Sequence, residues 1–212
     1  ALVMLAPRPQ NARRGGVDAV GLLLMLVLYC RMGAFFVLTL FLQDGLGYSP
    51  LTAALTMLPA TVGIVAGNGI GMPLAPWLGR KLPVIGLALL VAGTVATVAV
   101  VTAAGTGLAP WHLLVPVLLF GAGLGLGASS LMLIMLGAAG TADAGAASGV
   151  VNTVVQLGLA AGPATVGTAF FARLGTDGDI VAATRTGLLV GLALFAAALL
   201  ACVLIPRPTA QP

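Results

Sequence analysis

The residue whose chemistry stands out first is Arg31, which lies near the middle of a long apolar segment at positions 19–42. A guanidinium stays charged at physiological pH, and placing one at the centre of a bilayer costs roughly 2.5–3.5 kcal/mol on insertion scales. Asp18, thirteen positions earlier, would lie about 20 Å away along a helix and cannot pair with it. Arg31 is therefore predicted either to line a substrate or ion pathway or to pair with a carboxylate from another segment.

Three further polar side chains inside apolar segments are candidates for the same pathway. Asn152 and Gln156 stand four residues apart, so they share one face of a helix. Amides at this depth either hydrogen-bond a neighbouring helix or contact a ligand, and the sequence leaves both open. Tyr29, two residues before Arg31, is the third candidate.

Catalytic and metal-binding motifs are absent from the sequence. Glutamate does not occur, and His112 is the single histidine. Cys30 and Cys202 lie singly within apolar runs, and no zinc-protease motif, phosphate loop or cysteine cluster is found. A serine nucleophile would need a neighbouring base, and His112 is far from the Ser129–Ser130 pair. The sequence therefore predicts neither an enzyme nor a bound metal or cofactor.

The composition predicts a protein whose main solvent is lipid. Hydrophobic residues make up 60% of the 212 positions and charged residues 7%, and the mean hydropathy is +1.16. A soluble domain needs about a quarter of its residues charged. The net charge of +4 does not indicate nucleic-acid binding, because the nine basic residues are scattered over short gaps and form no basic face.

The pattern predicts an all-α membrane protein, because open sheet edges cannot lie in hydrocarbon and a spanning helix needs about 20 apolar residues. Ser49 and Pro50 supply a helix cap and a first-turn proline, and polar loops are expected at 142–145 and 175–179. Turns are also expected at 44–47, 77–81 and 105–107. The six predicted spans, which together form a bundle over 19–205, are about 19–42, 51–76, 82–104, 111–136, 146–171 and 185–205.

The distribution of basic residues predicts that both ends of this chain are cytoplasmic. The other side of the membrane receives only Arg173 and Arg185. Residues 1–18 resemble the tail of a preceding helix followed by a cytoplasmic linker, so we expect the chain to begin within a longer protein, and 206–212 is a cytoplasmic tail. The basic residues on the cytoplasmic side are Arg8, Arg13, Arg14, Arg80, Lys81 and Arg207.

Glycine is abundant, with 30 residues, and many of the glycines within spans stand four apart. Such spacing puts two glycines on one helix face, where another backbone can approach closely. The spacing predicts a tightly packed bundle. The pairs are 63 and 67, 67 and 71, 121 and 125, 123 and 127, 158 and 162, and 187 and 191.

Three stretches resemble the C-terminal half of major facilitator superfamily exporters of the fourteen-span drug:proton antiporter branch. One stretch runs from Phe41 through Gln43, Gly47, Ser49 and Pro50 to Leu58–Pro59. Another, 147–167, contains Ala-Ser-Gly-Val-Val-Asn-Thr-Val-Val-Gln-Leu-Gly. The last, 74–81, ends on Gly79, Arg80 and Lys81 and is similar to the superfamily's cytoplasmic loop motif.

The resemblance implies a half-bundle of two three-helix repeats that works with an N-terminal half by alternating access. It implies proton-driven export of drugs or antibiotic-like lipophilic compounds across a bacterial cytoplasmic membrane. Val155 stands where the family has an arginine, and Pro76 and Trp77 replace its usual Asp-Arg. Arg31, at a position that is apolar in the family, is hypothesised to replace the lost cation.

Two other interpretations remain open at the level of sequence. One is a six-span homo-oligomeric small transporter or channel, built from identical halves. The other is a membrane scaffold subunit without transport activity.

Overall fold

A computed structural model describes residues 27, 30–79, 81–138 and 140–204, and none of these residues forms a strand. These described residues contain six α-helices. A π-helical turn, Phe41–Gly45, continues the first helix, and two 3-10 turns, Gly105–Gly107 and Pro110–Leu113, join the third to the fourth. The helices are α1 (Met32–Leu40), α2 (Pro50–Leu78), α3 (Lys81–Ala104), α4 (Leu114–Ala138), α5 (Gly140–Asp177) and α6 (Ile180–Leu204).

Five of these helices, α2 to α6, are long and apolar enough to cross a membrane. The fold is therefore all-α and multi-pass, as the composition predicts. Residues 19–26, 28 and 29 of the predicted span 19–42 lie outside the described residues, and positions 32–42 of the span belong to the shorter apolar helix Met32–Gly45. The residues 1–18 and 206–212 also lie outside the described part.

The ends of α2 follow from local sequence chemistry. The Ser49 hydroxyl accepts a hydrogen bond from the Thr52 amide at 3.2 Å, which confirms the predicted cap. Gly47, just before it, has a φ of +67°, a backbone conformation that favours glycine. The Tyr48 hydroxyl donates to the carbonyl oxygen of Leu108 at 2.7 Å, and this bond ties the α1–α2 turn to the α3–α4 turn.

The structure differs from the sequence interpretation on either side of the fifth span. Residues 142–145, expected to be a loop, lie inside α5, and 175–177 extend the same helix to Asp177. Its 38 residues make a helix of about 57 Å, longer than the roughly 30 Å hydrocarbon core. Hydropathy detects only the part in lipid, whereas an alanine-rich segment stays helical in water because alanine is the best helix former.

The turn between α5 and α6 is much shorter than the predicted loop. Gly178, with a φ of +70°, separates the two helices. The Asp179 carboxylate then accepts hydrogen bonds from the amides of Val181 and Ala182 at 2.9 and 3.0 Å, which caps α6. Polar residues here serve as caps rather than as a loop.

The helices pack in an order that differs from their order in the chain. Going round the bundle, α2 packs against α4, α4 against α3, α3 against α6, α6 against α5, and α5 against α1. Within the described residues, α1 and α2 make hardly any direct contact, although they are consecutive. These two helices are therefore connected through the helices behind them and not by packing on each other.

Glycines make the closest helix contacts, which confirms the predicted tight packing. A Cβ added at Gly67 of α2 would lie 2.5 Å from the carbonyl oxygen of Ala122 in α4. On its opposite side, α4 packs against α3, where a Cβ at Gly93 would lie 2.5 Å from the Phe120 amide nitrogen. In lipid, where burying leucine gains little, such backbone approach is a main source of helix association.

Candidate pathway residues and a pocket between α1 and α2

Arg31 lies immediately before α1, at its N-cap position, and is half-buried. The guanidinium carbon Cζ stands 5.6 Å from the ring centroid of Phe35, one helical turn later. A cation over an aromatic face at this distance is attracted by the ring quadrupole, by about 0.5–2 kcal/mol depending on desolvation. This contact offsets part of the cost of keeping the charge in an apolar segment.

Phe35 begins a chain of aromatic rings that crosses the bundle. Its ring meets Phe120 of α4 edge to face, with centroids 5.3 Å apart and planes at 68°. Phe120 in turn meets Phe195 of α6 at 6.1 Å and 66°. Edge-to-face pairs contribute about 0.5–1.5 kcal/mol beyond burial. The rings therefore fix the position of Phe35, and with it the surface on which Arg31 rests.

A small cavity of about 20 Å³ lies beside Phe35, with α1 and α2 among the helices that line it. Phe35 and Met57 are half-buried, whereas the rest of the lining is buried, so these two side chains form the mouth of the cavity. The lining residues are Ala34, Phe35, Leu38, Met57, Thr94, Thr97, Val117, Phe120 and Leu188. We call this cavity the α1–α2 pocket.

The two threonines in the pocket wall have their hydrogens engaged elsewhere. Thr94 donates to the Leu90 carbonyl and Thr97 to the Gly93 carbonyl, each at 2.8 Å within α3. The other lining side chains are apolar. The α1–α2 pocket therefore suits an apolar group rather than one that needs hydrogen-bond donors.

Asn152 and Gln156 lie on α5 and are both exposed on the outside of the bundle. Ser148, four residues before Asn152, is exposed as well, so the three polar side chains share one face of α5. We call this face the α5 polar stripe; it consists of Ser148, Asn152 and Gln156.

The structure places Arg31 and the two amides at different depths. Cys30, just before α1, and Gly33 of α1 contact Gly162 of α5, while the Phe36 ring contacts Gly167 further along, so the two helices run parallel. At 1.5 Å per residue, Gln156 and Asn152 lie about 10 and 15 Å along the axis from the level of Arg31. The sequence candidates therefore form two separate groups, not one cluster.

Two of the remaining candidates, Tyr29 and Arg80, lie outside the described residues. The other two, Gly79 and Lys81, lie at helix ends. Gly79 has a φ of +47° and closes the turn after α2, and Lys81 is exposed at the start of α3. Across the part of the chain that the structure describes, no three His, Cys, Asp or Glu side chains come together in a way that could hold a metal ion.

The comparison with known families decides the class of the protein. Residues 4–163, about three quarters of the chain, match the model of the Major Facilitator Superfamily. The chain belongs to this superfamily. It is also 38% identical over 161 residues to a protein of Streptomyces coelicolor described as "Probable actinorhodin transporter". That match covers 75% of this chain but 28% of the relative, so the chain spans little more than a quarter of its length.

Membership confirms the resemblance based on residues 41–59, 74–81 and 147–167. It also shows that the chain is of the transporter class and not of an enzyme class. The sequence did not single out the aromatic and pocket residues Phe35, Met57 and Phe120. In a chain of which 60% is hydrophobic, a phenylalanine or methionine does not differ enough from its neighbours to be singled out. Only the helix packing order shows that these three meet.

Proposed function

We propose that this superfamily chain is the C-terminal six-helix half of a proton-coupled exporter in the bacterial cytoplasmic membrane. Its substrates are drugs or antibiotic-like lipophilic compounds, exchanged for protons by alternating access against an N-terminal half. The name of the Streptomyces coelicolor relative supports transport of an antibiotic-like compound. The cytoplasmic location of both chain ends and of the Gly79–Arg80–Lys81 turn is part of the same proposal.

The observation that carries the proposal is the α5 polar stripe. Asn152 and Gln156 are exposed on a membrane-length helix, and hydrocarbon would leave their amides without hydrogen-bond partners. Such a face requires either a water-filled pathway or another helix bundle. Alternating access supplies both, because the second half covers the stripe in one state and a wet cavity faces it in the other.

The packing of the helices supports two three-helix repeats. If the first three helices are matched in order with the last three, α1 corresponds to α4 and α2 corresponds to α5. The α1–α5 pair then corresponds to the α4–α2 pair. Both pairs run parallel and both meet through glycine, at Gly33 and Gly162 in the first and at Gly67 and Gly125 in the second. Inverted repeats of this kind underlie alternating access in many transporters.

Arg31 serves in this proposal as a pathway cation, together with Tyr29 and the amides of the stripe. Measured along the parallel axes of α1 and α5, Arg31 lies about 12 Å from Val155, the position at which the family has its arginine. Arg31 therefore supplies positive charge at another depth of the pathway instead of filling the same place.

The function is tested by reconstituting the full natural protein into lipid vesicles with ethidium and a panel of neutral and acidic lipophilic antibiotics. An imposed proton gradient should drive at least one compound against its own concentration gradient, and an uncoupler should stop this movement. Flux that only follows the compound's gradient would support a channel, and no flux for any compound would contradict transport of this class.

Arg31→Ala should reduce that driven transport at least about tenfold, since a lost charged hydrogen bond of 1.5–3 kcal/mol corresponds to a factor of ten or more. Arg185→Ala is the matched control, because Arg185 is exposed near the start of α6. Expression and thermal stability should be equal in both variants. Unchanged transport by Arg31→Ala would remove Arg31 from the pathway.

A further inference from the structure

The closest helix contacts divide the half-bundle into two blocks of three helices. α2 and α3 each pack against α4, and these three consecutive helices form the first block. α1, α5 and α6 pack against one another and form the second block. In the matching of the proposed repeats α3 corresponds to α6, so each block as a whole corresponds to the other.

Within each block, backbones lie directly against each other. In the first block, a Cβ added at Gly67 of α2 or at Gly93 of α3 would lie 2.5 Å from a backbone atom of α4. In the second block, a Cβ added at Gly33 of α1 would collide with the carbonyl oxygen of Gly162 in α5. Among the described residues, such backbone approaches at glycines join helices of the same block. Since no side chain lies between these backbones to yield by changing rotamer, we expect each block to move as one body.

The interface between the blocks is built from side chains instead. The Phe120 ring of the first block meets two rings of the second block, Phe35 at 5.3 Å and Phe195 at 6.1 Å between centroids. The α1–α2 pocket lies at the same interface, because α1 and α6 supply four of its lining residues and α2, α3 and α4 supply the other five. A cavity leaves its lining without close neighbours on one side. Side chains at this interface therefore have room to slide past one another without separating two backbones.

The chain passes from the second block to the first through a short link after α1. Gly45 lies against the second block, since a Cβ added there would stand 3.3 Å from two side-chain atoms of Ile180 in α6. The Tyr48 hydroxyl is bonded to the first block through the carbonyl oxygen of Leu108. Gly47 lies between these two anchors, and a Cβ added to it would have no atom within 4 Å. A few residues between two anchored segments can act as a hinge, because they absorb the change in φ and ψ when the segments move.

We propose that the half-bundle is not one rigid body, and that its two blocks slide against each other across the α1–α2 pocket during the transport cycle. Helix shifts at packed interfaces amount to about 1–2 Å. The inference rests on the proposed transport function, and it adds a motion within this half to the movement of one half against the other.

The direct test measures distances between spin labels in the full natural protein in lipid nanodiscs. Cys30→Ala and Cys202→Ser remove the cysteines of this chain, and any cysteine outside it is replaced in the same way. Driven transport by this background protein is measured before any label is attached. Distances are then recorded in acidic and in alkaline buffer, each with and without ethidium.

The labels are attached to cysteines that replace exposed residues of three helices. Val62 of α2 is paired with Leu189 and, separately, with Leu200 of α6, so that the two pairs span the interface at two depths. Val62 paired with Val95 of α3 is the matched control within the first block. At least one of the α2–α6 distances should change by about 1–2 Å between conditions, whereas the α2–α3 distance should stay constant.

Filling the cavity provides a second test. Val117→Ile adds one methylene to a lining that has room for a water-sized group, so thermal stability should be unchanged or raised. Driven ethidium transport should slow at least about fivefold, because the added methylene would overpack the shifted interface. Gly69→Ala is the control, since it adds one methyl group to α2 outside the pocket and should leave transport unchanged. If Val117→Ile lowers thermal stability, the spin-label distances decide alone.

Constant α2–α6 distances in a protein that drives transport would overturn the two blocks while keeping the proposed function. An α2–α3 distance that changes as much as the α2–α6 distances would also overturn them. The expected pattern of distances without driven transport of any compound would contradict the transport function instead.

Discussion

The close packing of α2 on α4 can be tested with two glycines of α2, because the backbone of α4 lies close to one of them and not to the other. A Cβ added at Gly67 would lie 2.5 Å from the Ala122 carbonyl oxygen, 2.9 Å from the Leu126 amide nitrogen and 3.1 Å from Gly125 Cα. A Cβ at Gly69, two residues later on the same helix, would have no atom of another described helix within 4 Å. Both glycines have ordinary helical backbones.

The magnitude follows from comparing Gly67→Ala with Gly69→Ala. Each substitution adds one methyl group to the same helix, so the helix-propensity gain of about 1 kcal/mol is common to both. The difference is the cost of moving two backbones apart, about 1–3 kcal/mol for overpacking. Gly69→Ala should therefore be neutral or stabilising, and Gly67→Ala should be less stable than Gly69→Ala by about 1–3 kcal/mol.

The assay is reversible unfolding of the purified full natural protein in mixed micelles, followed by far-UV circular dichroism or by steric trapping. Both variants are measured beside the unchanged protein. Equal stabilities of Gly67→Ala and Gly69→Ala would refute the reasoning, because they would show that α2 and α4 do not approach each other at Gly67.

Two further stability predictions concern the turns. Tyr48→Phe removes the 2.7 Å hydrogen bond to Leu108 and should lower the free energy of unfolding by about 0.5–1.5 kcal/mol in the same assay; no change would show that this bond contributes nothing. Gly105→Ala should cost about 1–2 kcal/mol relative to Gly107→Ala, because both sites are open but only Gly105, at a φ of +52°, needs a left-handed backbone. Equal melting temperatures of the two alanine variants would contradict this.

The sequence predicted the helices and several of their ends, because these depend on local chemistry. Ser49 caps α2 as predicted, and α3 ends at Ala104, beside the expected glycine turn. The loop expected at 142–145 was wrong, since α5 begins at Gly140. Hydropathy reports where lipid begins, whereas a helix continues for as long as its backbone bonds and propensities allow.

The candidate site was predicted only in part. Arg31 stands out in the sequence because a charge in an apolar run is rare, but its aromatic contact depends on a rotamer and on the neighbouring turn. The different depths of Arg31 and Gln156 follow from the register of α1 on α5, which is set by contacts at Gly33 and Gly162. Contacts between residues so far apart in the chain leave no pattern that one sequence reveals.

The central claim is that this half-bundle belongs to a machine that exchanges a compound for protons. Its most direct test uses vesicles containing the full natural protein, a pH-sensitive dye and a transported compound from the panel, at equal pH inside and outside. Diluting loaded vesicles into compound-free buffer should acidify the lumen, because protons enter in exchange for the compound that leaves. Arg31→Ala should slow this acidification at least about tenfold. Efflux of the compound without any change in lumenal pH would contradict proton-coupled exchange.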